Sequence, residues 1–424
     1  MRVLWFTNIP MPELSRHLGA GASVKGGWMS SLADALREDG HITLGIASAI
    51  AGQPCCQADI DGTTHFTIPM QHPNEFESLP TTASIERCKQ IVQEFKPDII
   101  HIHGTEKFYG LLTARGHISV PTVISIQGLI QVYERYYFGG MSFSELLRAH
   151  TLADIRYRSG LIHQKLKWGN RSLIEREIIE GNTAFIGRTL WDRAHLRDIN
   201  PKARYFHCDE LMRSPFYNAK WDRKYCRQFS IFSPTGEYPI KGIHWLLKAA
   251  AILKREFPAL KVRIADGAFA KGMKGKNYWQ RMKMSGYSKY LGNLVDDLDL
   301  HEVVQLTGQL TAEQMAEEIA KAHVFVMPSL VENSPNSLAE AMLVGTPCVV
   351  SLAGGMTSMV EDRRTAVCFP MGDEAMLAES VRMIYHDDEL ADSISREARK
   401  TAHKKHDKQT IVATMLEVYR SLCV

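Results

Sequence analysis

Two carboxylates and a lysine hold the most pointed chemistry in this sequence. Glu332 and Glu340 fall within PSLVENSPNSLAEAMLVGTPCVVS, Pro328 to Ser351, and Lys241-Gly242 lies upstream. An ionised carboxylate accepts hydrogen bonds and cannot donate them, so sugar hydroxyls are natural partners for Glu340. A lysine at a strand-to-helix turn can reach a phosphate, and the glycine after it gives the backbone room. Taken singly, Glu332 reads equally as a loop charge, Glu340 as a solvated helix position and Lys241 as one more surface lysine. Their shared setting raises them above that.

The setting is one βαβ turn. His323 to Met327 is short, β-branched and aromatic, the pattern of a buried strand. Ser334-Pro335 is the preferred pair for a helix N-cap and first helical position. The helix carries Asn336, Ser337, Leu338, Glu340 and Met342, and Gly345 with Pro347 ends it before a second strand at Cys348 to Val350. Free backbone N–H groups near Asn336 and Ser337, helped by the helix dipole, would form a phosphate or diphosphate site. Glu332 projects from the strand end, where ligands of open α/β sheets collect. The Lys241-Gly242 turn should open on the same sheet edge.

The first half of the chain repeats the strand–helix alternation. Arg2 to Thr7 predicts a first strand, and a Gly-rich loop follows that ends in Lys25-Gly26-Gly27-Trp28. Gly26 and Gly27 would let a backbone approach a ligand, or simply turn. No dinucleotide fingerprint is present, since Gly19-Ala20-Gly21 lacks the third glycine. Strands are expected at His41 to Ala47, His65 to Pro69 and Thr122 to Ile126, and a helix at Ile85 to Phe95. The strand Asp98 to His103 presents His103 at its end, where a histidine could donate a hydrogen bond to a substrate or serve the fold alone. Thr122 to Ile126 ends at Gln127. Val132 to Gly139, VYERYYFG, puts Tyr133 and Arg135 in a loop suited to stacking on sugars or apolar tails.

Ser142 to Glu180 has a helical pattern with seven basic residues among apolar ones, which would suit a membrane-facing surface. Glu145, Asp154, Glu175, Glu177 and Glu180 offset most of that charge, so an ordinary solvated face is expected. Asp59-Ile60-Asp61 and Asp297-Leu298-Asp299 have the Asp-x-Asp form of divalent-ion ligands, but the first fits a turn and the second a helix end. A metal-free diphosphate site is therefore expected, neutralised by Lys241 and the helix N-terminus.

At 424 residues the chain suits two domains, and 45% hydrophobic with 23% charged residues is a soluble globular composition. A net charge of +3 is too small to argue for nucleic acid. Eight cysteines without CxxC spacing, two of them adjacent, indicate free thiols in a reducing compartment. The opening apolar run suits a strand better than a signal peptide, and no run is long enough to span a bilayer. A cytoplasmic enzyme follows, with room for peripheral work at the inner membrane surface.

Glu332 and Glu340, the following Ala341 and the Gly345-Thr346-Pro347 turn resemble the signature of glycosyltransferase family 4, retaining enzymes with two Rossmann-like domains facing a central cleft, the GT-B fold. The similarity extends to Gly26-Gly27, the Asp98 to His103 strand, Lys241-Gly242, Ala265-Asp266-Gly267 and Gly354-Gly355. The resemblance implies that Glu332 lies beside the donor sugar and Glu340 binds the ribose. Lys241 and the backbone of Asn336 to Leu338 would contact the donor diphosphate, with Gly26-Gly27 facing it from the first domain. Aromatics without periodicity mark 209–227 as a connection between domains at 1–208 and 228–406, and the resemblance implies that a last helix, 407–422, returns to the first domain. Two positions depart from the family. Its usual arginine five residues before the lysine is Gly236 here, and its usual histidine after the Thr122 strand is Gln127.

The resulting expectation is a retaining, metal-independent transferase that needs no cofactor. It moves a hexosyl group from a nucleoside diphosphate sugar to a glycan or lipid-linked acceptor. Glu332, Lys241 and His103 stand as catalytic candidates, with Gln127, Tyr133 and Arg135 on the acceptor side. A nucleotide-sugar epimerase of the same fold and a non-catalytic nucleotide-sugar-binding protein are the alternatives.

Overall fold

The computed structural model of the protein describes residues 1–19, 27–70, 79–234, 238–265 and 284–423. Gly26, Gly236 and Asp266-Gly267 lie outside them. The chain forms two compact units. One joins Met1–Gln131, Gly169–Arg213 and Lys405–Val424; the other joins Val132–Trp168 and Ser214–Lys404. Residues 132–168 thus cluster with the second unit, whereas the sequence reading runs the first domain unbroken through 1–208. The physical reason is a set of anchors. Gly139 O accepts from both His244 Nε2 at 2.9 Å and Trp245 Nε1 at 3.0 Å, and Glu145 takes Lys248 at 2.9 Å.

The first unit is built on a sheet of β1 (Arg2–Thr7), β2 (Thr43–Ala51), β3 (Gln57–Ile60), β4 (Thr63–Met70), β5 (Ile99–His103), β6 (Thr122–Ser125), β7 (Ala184–Gly187) and β8 (Arg204–His207). Their order is β3-β4-β2-β1-β5-β6-β7-β8, parallel except for the β3–β4 hairpin. Asp61 and Gly62 both take positive φ in the hairpin turn, 49° and 76°, which is the Asp-Gly chemistry such two-residue turns require. Val3 to Phe6 are fully buried in β1. Strands covered on both faces read as continuous apolar runs, which is why β1 and β5 are so legible. The helix Lys408–Leu422 packs in this unit and buries Tyr419 completely.

The second unit carries β9 (Arg227–Ser233), β10 (Lys261–Ile264), β11 (Val304–Leu306), β12 (Ala322–Met327), β13 (Cys348–Ser351) and β14 (Val367–Phe369), all parallel. The order β11-β10-β9-β12-β13-β14 leaves β9 and β12 adjacent at the centre. Crossing between β12 and β13, the helix Asn336–Val344 is buried along Leu338 to Val344. Gly345 closes it at φ 84°, a left-handed cap that costs glycine no Cβ clash. Arg399 Nη1 donates to Leu343 O at 2.6 Å, placing a cation on the carbonyl end of the helix.

Candidate active site

In the second unit the residues singled out by type and spacing meet. Lys241 Nζ donates to Glu332 Oε1 at 2.7 Å, and Ser329 Oγ donates to the same oxygen at 2.8 Å. Glu332 is 5% exposed and Lys241 keeps 26% of its side chain open. Local backbone chemistry sets this pair. Gly242 sits at φ 71°, and a Cβ there would lie 2.0 Å from Pro328 O, so only glycine lets the lysine turn dock on the end of β12. Leu330 N donates to Ile240 O at 2.8 Å and locks the two loops together. On the other side Gly355 N donates to Glu332 O at 2.8 Å, and Gly354, at φ 55°, would carry a Cβ 2.1 Å from that same oxygen.

The helix start differs from expectation. Pro335 is the N-cap, with no side-chain hydrogen bond, and Asn336 is the first helical residue, so Ser334 does not cap. The N–H groups of Asn336 and Ser337 have no acceptor among the described residues. An uncapped first turn leaves those donors for a ligand, and the dipole favours an anionic one. Glu340 follows on the same helix, 5% exposed. Lysine, carboxylates and helix N-terminus therefore share one loop cluster at one sheet edge.

The first-unit candidates are less open. His103 is 2% exposed rather than presented at a surface, because Trp5, His101 and Trp28 enclose it at ring distances of 4.4, 4.0 and 5.7 Å. Burial drives its pKa well down, with the neighbouring His101 and Arg188 adding to the effect. Neither ring nitrogen has a hydrogen-bond partner among the described residues. His101 is likewise held neutral, pushed to about 3 by burial, between Tyr419 OH and Ser125 Oγ, each at 2.7 Å. Trp5 Nε1 donates to Tyr419 OH, which leaves the phenol proton for His101 Nδ1 and the Nε2 proton for Ser125. His103, Arg188 and Glu210 line an enclosed cavity of about 20 Å³, room for about one water.

Gln127 is fixed by a pair that sequence reading missed. Its Nε2 donates to Glu210 Oε1 at 3.0 Å and its Oε1 accepts from Arg188 at 3.3 Å, while Arg188 and Glu210 form a buried ion pair. Nothing in the sequence spacing links those three positions. Arg213 was missed as well. A Cβ on Gly27 would fall 2.7 Å from its Cδ, so this glycine lets an arginine lie against the start of the Gly27–Asp39 helix.

The acceptor-side candidates are divided between the two units. Gln127 belongs to the first unit, Tyr133 and Arg135 to the second. VYERYYFG is also no open loop. It forms the end of the short helix Ile130–Tyr133 and a 3-10 turn at Glu134–Tyr136, with Tyr137 buried against Trp168 at 5.0 Å. Arg135 is exposed and Tyr133 half-buried. Of the Asp-x-Asp motifs, Asp59 accepts from Thr64 Oγ1 within the hairpin and Asp297 pairs with Arg148. Among the described residues no three His, Cys, Asp or Glu side chains gather as a metal site would need.

Residues 227–401, which contain Lys241, Glu332, the Asn336–Val344 helix and Glu340, match the family described as Glycosyl transferases group 1. This segment is a group 1 glycosyltransferase domain. Among curated relatives of this chain, the sulfoquinovosyl transferase SQD2 of Arabidopsis thaliana is 24% identical over 359 residues, covering 82% of this chain and 60% of that protein. A D-inositol 3-phosphate glycosyltransferase of Paenarthrobacter aurescens is 26% identical over 181 residues, 43% of this chain and 41% of that one. The chain thus spans 60% or less of the length of these relatives. Among solved structures, the sucrose-phosphate synthase of Thermosynechococcus elongatus aligns at TM-score 0.75 with 17% identity, covering 100% of this chain and 99% of that one. Anabaena HepE in complex with UDP-glucose aligns at 0.66 with 16% identity and complete coverage of both. The chain therefore has the two-sheet α/β architecture of the GT-B fold.

Proposed function

We propose that the protein transfers a hexosyl group from a nucleoside diphosphate sugar to an acceptor hydroxyl during glycan assembly, with retention at the anomeric carbon and without a metal ion. The observation that carries this reading is the Lys241–Glu332 pair beside an uncapped helix N-terminus. Lys241 and the N–H groups of Asn336 and Ser337 would neutralise the departing diphosphate, stabilising charge where it develops. Glu340 would accept from the ribose hydroxyls, and Glu332 would orient the donor sugar. A uridine nucleotide is the first donor to try, since HepE, of the same fold, was solved with UDP and with UDP-glucose.

The test is a thermal-shift screen of the chain against uridine, guanosine and adenosine diphosphates and their common sugars, followed by assay of nucleoside diphosphate release with and without polysaccharide or lipid-linked acceptors. A ligand that binds the native state raises the melting point. The expected result is one nucleotide class raising it, with release accelerated by acceptor. Donor epimerisation with no acceptor dependence would overturn the transfer reading.

A further inference from the structure

The segment from Phe143 to Lys167 presents an unusual surface to solvent. On the helix Phe143–Arg148, Phe143 and Leu147 are 74% and 57% exposed; on Leu152–Tyr157, Leu152 and Ile155 are 56% and 70% exposed. Ile162 and Leu166 open the helix Leu161–Gly181 at 50% and 64%. Each pair is spaced three or four residues apart and so shares one side of its helix. Single exposed hydrophobic residues need no explanation, but three successive helices that each turn an apolar pair outward do.

The charges identify the occupant. Every exposed charged residue between Phe143 and Lys167 is cationic: Arg148, Arg156, Arg158 and Lys167. The two acids of the segment, Glu145 and Asp154, face inward. Asp154 is buried as the capping partner of Thr151. Glu145 caps Ser142 and accepts from Lys248 at 2.9 Å and Tyr290 at 2.5 Å. Arg148 is matched by Asp297, but Arg156, Arg158 and Lys167 have no anionic partner among the described residues. A symmetric dimer through this face would set like charges against each other, which is costly. Apolar side chains interleaved with unpaired cations instead match the boundary between headgroups and acyl chains of an anionic bilayer.

We propose that this face docks the protein peripherally on an anionic lipid surface, with the apolar pairs entering the headgroup boundary and Arg156, Arg158 and Lys167 meeting lipid phosphates. Among the described residues no helix is long and apolar enough to cross a membrane, so contact would be from one side. The proposal is independent of the sugar-transfer reading, and an inactive chain could still show it.

Co-sedimentation of the full chain with vesicles of phosphatidylcholine, alone or mixed with phosphatidylglycerol, tests it. The native chain should pellet with the mixed vesicles, and less so as salt rises. An Arg156→Glu/Arg158→Glu variant should partition on the order of 20-fold more weakly, each cation near an anionic surface contributing about five-fold. An Ile155→Ser/Leu166→Ser variant should also lose binding. Because these side chains are exposed, unchanged circular dichroism in both variants separates lost contact from lost folding. Absence of binding to the anionic vesicles, or binding by both variants as strong as that of the native chain, would overturn the proposal. So would concentration-dependent dimerisation abolished by Ile155→Ser/Leu166→Ser, which would assign the face to a second copy.

Discussion

Lys241 and Glu332 form an ion pair at 2.7 Å in which Ser329 shares the lysine's carboxylate oxygen, at 2.8 Å. Two donors on Oε1 fix the plane of the carboxylate and leave Oε2 without a partner among the described residues. Lysine charge is thus held in place by the group that the proposed mechanism sets beside the sugar. In the proposed reading an incoming diphosphate would compete with Glu332 for the lysine, which would couple donor binding to carboxylate placement.

Glu332→Gln should keep the packing and the Ser329 contact while removing the charge. We expect turnover to fall on the order of 100-fold, with nucleotide affinity changing by less than about three-fold. Lys241→Ala should cut kcat/KM for the donor by about 100-fold or more and also lower the melting point, because it strands a carboxylate that is only 5% exposed. Steady-state kinetics beside calorimetric nucleotide binding separates the two. Equal losses of affinity in both variants would remove Glu332 from the reaction itself.

Glu340→Ala should act on binding instead. Hydrogen bonds to a charged acceptor contribute about 1.5–3 kcal/mol, so nucleoside diphosphate affinity should weaken roughly 10- to 100-fold. The same variant should bind inorganic diphosphate as well as the native chain does, since that ligand has no ribose. Titration calorimetry with both ligands reads the difference, and a parallel loss for diphosphate would place Glu340 elsewhere.

The parts of the site that were readable from sequence are those made by local chemistry. Gly345 must end its helix because it takes a left-handed φ, and β12 and β13 are apolar because both faces are covered. Ser329, Arg188 and Glu210 were not readable, since their roles arise where distant segments meet. The inward turn of Glu145 and Asp154 had a signal that charge counting passes over. Ser142-x-x-Glu145 and Thr151-x-x-Asp154 are both capping boxes, and a capping acid is committed to its own helix start. His103 misled in the opposite direction. Strand position put it at an edge, and only packing against Trp5 and Trp28 closes it off.

Two glycines should respond oppositely to alanine. Gly242→Ala drives a Cβ to 2.0 Å from the Pro328 carbonyl at φ 71°, and a backbone oxygen cannot swing aside. A loss of about 2–4 kcal/mol is expected, with displacement of Lys241 and loss of transfer activity. Gly169 lies within the helix Leu161–Gly181 with nothing within 4 Å of the added carbon. Gly169→Ala should stabilise by about 0.5–1 kcal/mol and leave activity intact. Melting curves of the two variants beside the native chain check both signs.

Acid should destabilise the protein in two windows. His65 and His244 are pushed down to about 4 and His101 to about 3, each mainly by burial. His244 is also locked neutral, its Nε2 proton going to Gly139 O while Nδ1 accepts from Tyr287. Above the unfolded histidine value near 6.5 both states are neutral and these groups add no pH dependence. As pH falls below it, the unfolded chain takes up protons that the folded chain refuses, so stability declines towards the folded values. Glu175 works against this. Burial raises it to about 7, despite bonds from Thr105 and the Gln131 backbone, so its contribution to stability improves as pH falls from 7 to 4.5. Below 4.5 a second loss begins at Glu145, where bonds from Tyr290, the Ser142 backbone and Lys248 outweigh burial and hold the carboxylate down at about 2. His103 and His323, also pushed down mainly by burial, add to the histidine side, and Glu106, raised by burial, adds to that of Glu175; the lowered histidines outnumber the raised glutamates, which gives a net decline. The melting temperature should therefore be nearly flat from pH 8 to about 6.5, fall from there on, and fall more steeply below about 4.5, where the loss at Glu145 joins that of the histidines. Scanning calorimetry across that range checks it, and a melting point that rises on acidification between 6.5 and 4.5 would mean that Glu175, not the histidines, governs the response.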